Sequence, residues 1–212
     1  LAGVGLAFII SAILLKRYKK NNLIKNCLQL FCIGTIADMS PLKDANRILL
    51  KRGLPTLSED INKGLYSLIK SSGIKNRLVT PEDISFKIAP RINSVGRISN
   101  PDIILNLLSE NNENNITKLV QECENINIKR KNMCLKMEEE ALDLVYSERK
   151  EESNFLLLVN DNWHSGIIGI IASRIIEKYN KPVALLTLES EGIYRASARA
   201  PLGFDLIKSL NY

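Results

Sequence analysis

Of the 212 residues, 45% are hydrophobic and 25% charged, an ordinary balance for a folded protein that can bury one good core or two small ones. The net charge of +6 permits an anionic partner such as nucleic acid without demanding one. The four cysteines, Cys27, Cys32, Cys123 and Cys134, form no C-x-x-C pair and have no histidine nearby. That argues against a zinc site and suits buried free thiols in a reducing cytosol.

The chain opens with LAGVGLAFIISAILLKRYKK. Its apolar run is shorter than the roughly 20 residues a membrane span needs, with no basic region before it and no cleavage site after it. A buried core helix from Leu1 to about Lys19 is predicted instead. There is no initiator methionine, which points to a fragment with an upstream part missing. A second helix follows from Leu23 to about Ala37, after the polar KKNN. DANRILLKRGL predicts a third, stopped at Gly53-Leu54-Pro55, and NKGLYSLIKSSG a fourth with a glycine exit. TPEDISFKIAPRIN opens on a capping pattern, Thr80 before Pro81 and Glu82. The glycine- and asparagine-marked NSVGRISNP after it reads as a loop or turn.

Polarity rises sharply at SENNENN, where a domain boundary is expected. Ile116, Leu119, Val120, Cys123, Ile126, Met137, Ala141 and Leu144 then recur at helical spacing, as in a connector helix. The run Lys129 to Lys131 is its solvated face. Beyond it FLLLVN reads as a strand, IIGIIASRIIEKY as a helix and KPVALLTLE as a second strand, which implies a parallel pair with a right-handed crossover. GIYRASARA adds a further strand. The fold class is α/β, with a helix-rich first part, a long connector helix and a small C-terminal α/β domain.

Four stretches offer chemistry. Trp163 and His164, the chain's only tryptophan and histidine, sit where a strand turns into a helix. Helix starts expose unpaired N–H groups and favour anions. Gly166 and Gly169 would share a helical face and allow close approach; the plain alternative makes Trp163 a packing residue and His164 a cap. Ser197 and Arg199 fall on one side of the last strand, a hydroxyl and a guanidinium suited to phosphate, or an ordinary exposed edge. Arg91 and Arg97 frame Asn93 and Gly96, as a clamp on a phosphodiester backbone or as a solvated loop. Asp38 ends an apolar helix, where the helix dipole disfavours a carboxylate unless a cation is near, so it is a candidate metal ligand. Asp44 reads as a helix-start residue.

Taken in order, LAGVGLAF, GTIADMSPLKDANRILLKRGL, PRINSVGRI, WHSGIIGIIASRI and YRASARAPLGFDL resemble the RecJ family of the DHH phosphoesterase superfamily. The resemblance implies three segments: the C-terminal part of a DHH domain over 1–112, a connector helix over 113–150, and a truncated DHHA1-type domain over 151–212 that faces the metal site across a cleft. It implies a 5′-to-3′ single-stranded-DNA exonuclease of DNA repair and recombination, cytoplasmic and monomeric, using two Mn2+ or Mg2+ ions on a substrate with a 5′ end. Asp38 matches the family's last metal-binding aspartate and, with His164, a catalytic position. His164, Ser197 and Arg199, with Arg91, Asn93 and Arg97, match substrate-binding positions. Arg174 is a further candidate whose plain reading is surface decoration. The family's D-x-D and D-H-H motifs are absent, its G-S-G-R-S is replaced here by ASARA, and its usual OB-fold continuation does not follow. The 212 residues alone are therefore expected to be inactive. Two other readings stay open: a catalytically dead nucleic-acid-binding module, and a DHH–DHHA1 phosphodiesterase of short oligonucleotides or cyclic dinucleotides.

Overall fold

The computed structural model describes residues 2–58, 62–74 and 78–211; Leu1 and Tyr212, the ends of two expected segments, lie outside them. The chain divides into two compact units, Leu1–Asn127 and Ile128–Tyr212. The division falls inside one long helix, α8 (Glu113–Ser147), the connector that the apolar stripe predicted.

The first unit is helical: α1 (Gly3–Arg17), α2 (Ile24–Ala37), α3 (Asp44–Gly53), α4 (Lys63–Ser71), α5 (Pro81–Asp83), α6 (Ala89–Ile98), α7 (Asp102–Ser109) and the start of α8. Its core gathers around α2, whose Phe31 and Cys32 are fully buried, with Leu65, Leu68, Ile84, Ile88, Val95 and Leu107. Close helix contacts need small residues at particular points. A Cβ on Gly64 would stand 1.9 Å from the carbonyl oxygen of Leu107, so α4 meets α7 only because position 64 has no side chain.

Two expectations fail here. The first is the buried core helix at the start of the chain. In α1 only Gly5 is buried, while Leu6, Ile10 and Ile13 are 58, 59 and 62% exposed. One side of α1 packs on α2, through Phe8 against Phe31 (ring centroids 5.4 Å apart) and Val4 over Gly34. An apolar composition all round a helix does not say how many of its sides are covered. Among the described residues no helix is long and apolar enough to cross a membrane.

The second is the loop assigned to NSVGRISNP. Residues up to Ile98 are helical, continuous with α5 through a π-helical turn, Ile84–Ile88, in which the Ala89 N–H reaches back to the Ile84 carbonyl. Pro90 explains that wider turn, since in a regular α-helix its ring would collide with the carbonyl four residues earlier. The Thr80–Asp83 capping box starts the segment: Thr80 Oγ1 accepts from the Asp83 N–H, and Asp83 Oδ2 accepts from the Thr80 N–H. Burial of Ala89, Ser94 and Val95 on the inner face outweighs the turn preference of Asn93 and Gly96 on the outer one.

The second unit holds a three-stranded sheet in the order β1 (Leu156–Val159), β2 (Val183–Ser190), β3 (Ile193–Arg199). β1 and β2 are parallel, with Leu158 opposite Leu185; β2 and β3 are antiparallel, with Leu185 opposite Ser197. Helix α9 (Ser165–Tyr179) makes the crossover and buries Ile167, Ile168, Ile171, Ala172 and Ile175. Within this unit α8 contributes the buried Cys134, Met137, Ala141 and Val145, and a short α10 (Leu206–Leu210) follows the sheet.

Candidate functional site

In the first unit the end of α2 places Asp38. The helix closes in a Schellman arrangement: the Met39 N–H donates to the Ile36 carbonyl (3.0 Å) and the Ser40 N–H to the Thr35 carbonyl (3.2 Å). Such a closure needs a left-handed residue, normally glycine, and here Met39 takes it at φ +52°, with its side chain 89% exposed. Asp38 is the C-cap, exposed, and accepts a 3.1 Å hydrogen bond from Ser40 Oγ on Oδ2. A carboxylate at the negative end of a helix adds to an already negative potential, which attracts a cation.

Asp38 and Met39 border a groove of about 880 Å³ whose far wall is α6. Asn93 and Arg97, four residues apart on one helical face, line it with Gly96, over a floor that includes Ile33, Ile92 and Ile104. Sequence reading placed these residues together for the wrong local reason, a turn; the helix period is what aligns Asn93 with Arg97. The same period turns Arg91 elsewhere. Its Nε donates to Glu124 Oε1 at 2.6 Å and its Nη1 to the Lys87 carbonyl at 2.6 Å, in an ion pair whose side chains are 16 and 18% exposed. Asp44 is the first residue of α3, as expected of a helix-start residue.

In the second unit His164 is the N-cap of α9. The Gly166 N–H donates to its Nδ1 at 3.1 Å. A backbone N–H only donates, so Nδ1 is an acceptor and the proton of the neutral ring sits on Nε2. About a turn and a half along α9, Gly169 faces β3: a Cβ there would stand 3.0 Å from Ser197 Oγ and 3.7 Å from Arg199 Nη2. The missing side chain leaves room for the hydroxyl to lie over the helix, with the guanidinium at ordinary contact distance. Ser197 and Arg199 share a sheet face by the period of two, and so does Arg195, opposite Thr187, which forms an ion pair with Glu189. The sequence reading passed over Arg195; the alternation of YRASAR carries the signal. Arg174 is paired with Glu138 of α8 and so ties α9 to that helix. The Asp161 carboxylate raises the Tyr194 phenol above its ordinary value, first as a hydrogen-bond acceptor for it and then through its negative charge.

A helix start bearing an imidazole cap and a strand carrying a hydroxyl and a guanidinium over that helix thus belong to one small α/β unit. Residues 152–211 match the DHHA1 domain family. Along its whole length the chain resembles RecJ proteins. It is 35% identical over 212 residues to the single-stranded-DNA-specific exonuclease RecJ of Bacillus subtilis, an alignment covering 100% of this chain and 26% of that protein. The RecJ of Haemophilus influenzae is 31% identical over 218 residues, covering 97% of this chain and 38% of that one. Among solved structures, RecJ of Thermus thermophilus in complex with Mn2+ matches with a TM-score of 0.75 at 28% identity, over 88% of this chain and 27% of that chain. An exonuclease RecJ bound to manganese matches at 0.73 and 27%, over 88% and 46%. In sequence and in fold the chain therefore corresponds to a RecJ segment, and it spans roughly a quarter to two-fifths of the curated relatives' length.

Proposed function

We propose that the chain is part of a 5′-to-3′ exonuclease that hydrolyses phosphodiester bonds of single-stranded DNA with Mn2+ or Mg2+, in DNA repair and recombination. The observation that carries this reading is the Gly169 gap: Ser197 Oγ lies over α9 where even a methyl group would crowd it, with Arg199 Nη2 at ordinary contact distance from the same point. A guanidinium gives phosphate charge-assisted bonds, a hydroxyl gives a neutral one, and the His164 Nε2 proton offers another donor at the helix start. On the first unit, Asn93 and Arg97 line the Asp38 groove with polar groups over an apolar floor, a surface suited to a nucleotide strand.

The donors present do not by themselves form a two-ion centre. A Mg2+ ion takes six oxygen ligands, and Asp38 is the one carboxylate among the described residues lining the groove. No group of three or more His, Cys, Asp or Glu able to hold a metal occurs among the described residues. Asp38 would supply one ligand to an ion held also by further groups, and these residues alone carry no hydrolytic step.

The test uses fluorescence anisotropy with 5′-phosphorylated oligothymidylate. The 212-residue chain is expected to bind it in a salt-sensitive way and to release no nucleotide with manganese present. Arg199→Ala is expected to weaken binding about tenfold or more, the size of one lost charge-assisted bond. Binding that ignores both salt and Arg199 sinks the reading.

A further inference from the structure

The turn that enters α9 is held at three points by groups outside it, and the unit's only histidine sits directly beyond the last. Thr187 Oγ1, 1% exposed on β2, donates to the Trp163 carbonyl at 2.6 Å. Trp163 itself is 4% exposed, and its Nε1 donates to Glu140 Oε2 of α8 at 2.8 Å. Thr187 Oγ1 also reaches the carbonyl of Asp161, two residues earlier, at 3.4 Å. The Trp163 carbonyl belongs to the peptide unit that leads into His164, so pinning it sets the plane from which the His164 side chain departs. On the other side the His164 carbonyl is taken by the N–H groups of Ile167 (2.9 Å) and Ile168 (3.3 Å), the first bonds of the helix. The ring itself takes the Gly166 N–H on Nδ1.

We infer that Thr187 and Glu140 are positioning residues for His164: acting through Trp163, they orient the imidazole so that Nδ1 is engaged by the helix start and the Nε2 proton is presented outward. This rests on the reading of His164 as a phosphate-facing group. A hydroxyl and a carboxylate are the right groups for the task. The Trp163 carbonyl needs a donor and the indole N–H an acceptor, and both are buried where water does not replace them. Glu140 stands two residues after Glu138, the partner of Arg174, so the connector helix grips α9 at its entry and along its body. Neither residue touches substrate in this arrangement.

The single tryptophan and single histidine make the test direct. In the 212-residue chain, ring nitrogen shifts of His164 by NMR report the tautomer, and the indole N–H shift of Trp163 reports the clamp. Thr187→Val keeps the shape of the side chain and removes the hydroxyl; Thr187→Ser restores it. Glu140→Leu, at a partly exposed position of α8, removes the acceptor together with a solvent-exposed ion pair to Lys136, and serves should Thr187→Val not fold. Loss of either group is expected to mix the His164 tautomers and to weaken 5′-phosphorylated oligothymidylate binding about fivefold, with Thr187→Ser restoring both. Unchanged ring signals in Thr187→Val and Glu140→Leu overturn the clamp, whatever the affinity does. Mixed tautomers with unchanged affinity uphold the clamp and overturn the phosphate-facing role of His164.

Discussion

Replacing Gly169 by alanine adds a single methyl group where α9 meets β3. Two effects oppose each other in stability. Alanine is favoured over glycine in a helix interior by about 1 kcal/mol. Against this, the new Cβ would lie 3.0 Å from Ser197 Oγ, closer than ordinary van der Waals contact, so the hydroxyl must rotate or retreat by a few tenths of an ångström. Arg199 Nη2, at 3.7 Å, is at normal contact and need not move. The sum is close to zero, and Tm is expected to stay within about 2 °C of the parent. Binding is a different matter. The displaced hydroxyl no longer offers its neutral hydrogen bond, worth about 1 kcal/mol, so affinity for 5′-phosphorylated oligothymidylate is expected to fall about fivefold. Thermal denaturation and anisotropy at one fixed ionic strength separate the two. An unchanged affinity would refute the cradle, and a fall in Tm of more than about 5 °C would show that backbone, rather than one hydroxyl, has to yield.

Three further outcomes are expected. Met39→Gly should stabilise the chain by about 1 kcal/mol in urea denaturation, because a residue held at φ +52° is relieved and an 89% exposed side chain forfeits little burial; a lower midpoint contradicts the strain argument. Arg91→Ala should cost about 2 kcal/mol of stability by stranding the mostly buried Glu124 carboxylate, while leaving oligonucleotide affinity intact. Lost affinity at unchanged stability would instead return Arg91 to the substrate. Burial pushes the Cys32 thiol up from 9.0 to about 12 and, with Glu122 and Glu124 nearby, that of Cys123 to about 11. Unfolded thiols ionise first, so the stability these two contribute is complete below pH 9 and is lost as pH rises toward 11 and 12. Urea midpoints taken on both sides of pH 9 should fall less steeply in Cys32→Ala than in the parent; equal slopes would deny the burial effect.

Local chemistry made several features legible in the residues themselves. The capped start at Thr80-Pro81-Glu82, the connector stripe from Ile116 to Leu144, and the strand–helix–strand order around His164 all appear as read, because capping groups and hydrophobic period act over one or two turns of chain. Residues whose signals conflict were misread. NSVGRI carries turn residues, yet the burial of Ser94 and Val95 keeps it helical, and that burial depends on partners distant in the chain. For α1 the reverse held: apolar residues on every side promise burial, but α2 covers one side of it and Leu6, Ile10 and Ile13 stay exposed.

Alone, the amino-acid sequence determined the candidate chemistry: which carboxylate, imidazole, hydroxyl and guanidinium groups exist, and which share a helix or strand face by spacing. Tertiary structure decided their company. It gave Arg91 to Glu124 and Arg174 to Glu138, set Asn93 and Arg97 along the Asp38 groove, and laid Ser197 and Arg199 over Gly169. The physical reason is one of range. Backbone hydrogen bonding and side-chain period are local, whereas these ion pairs and close approaches form only when packing brings together groups tens of residues apart.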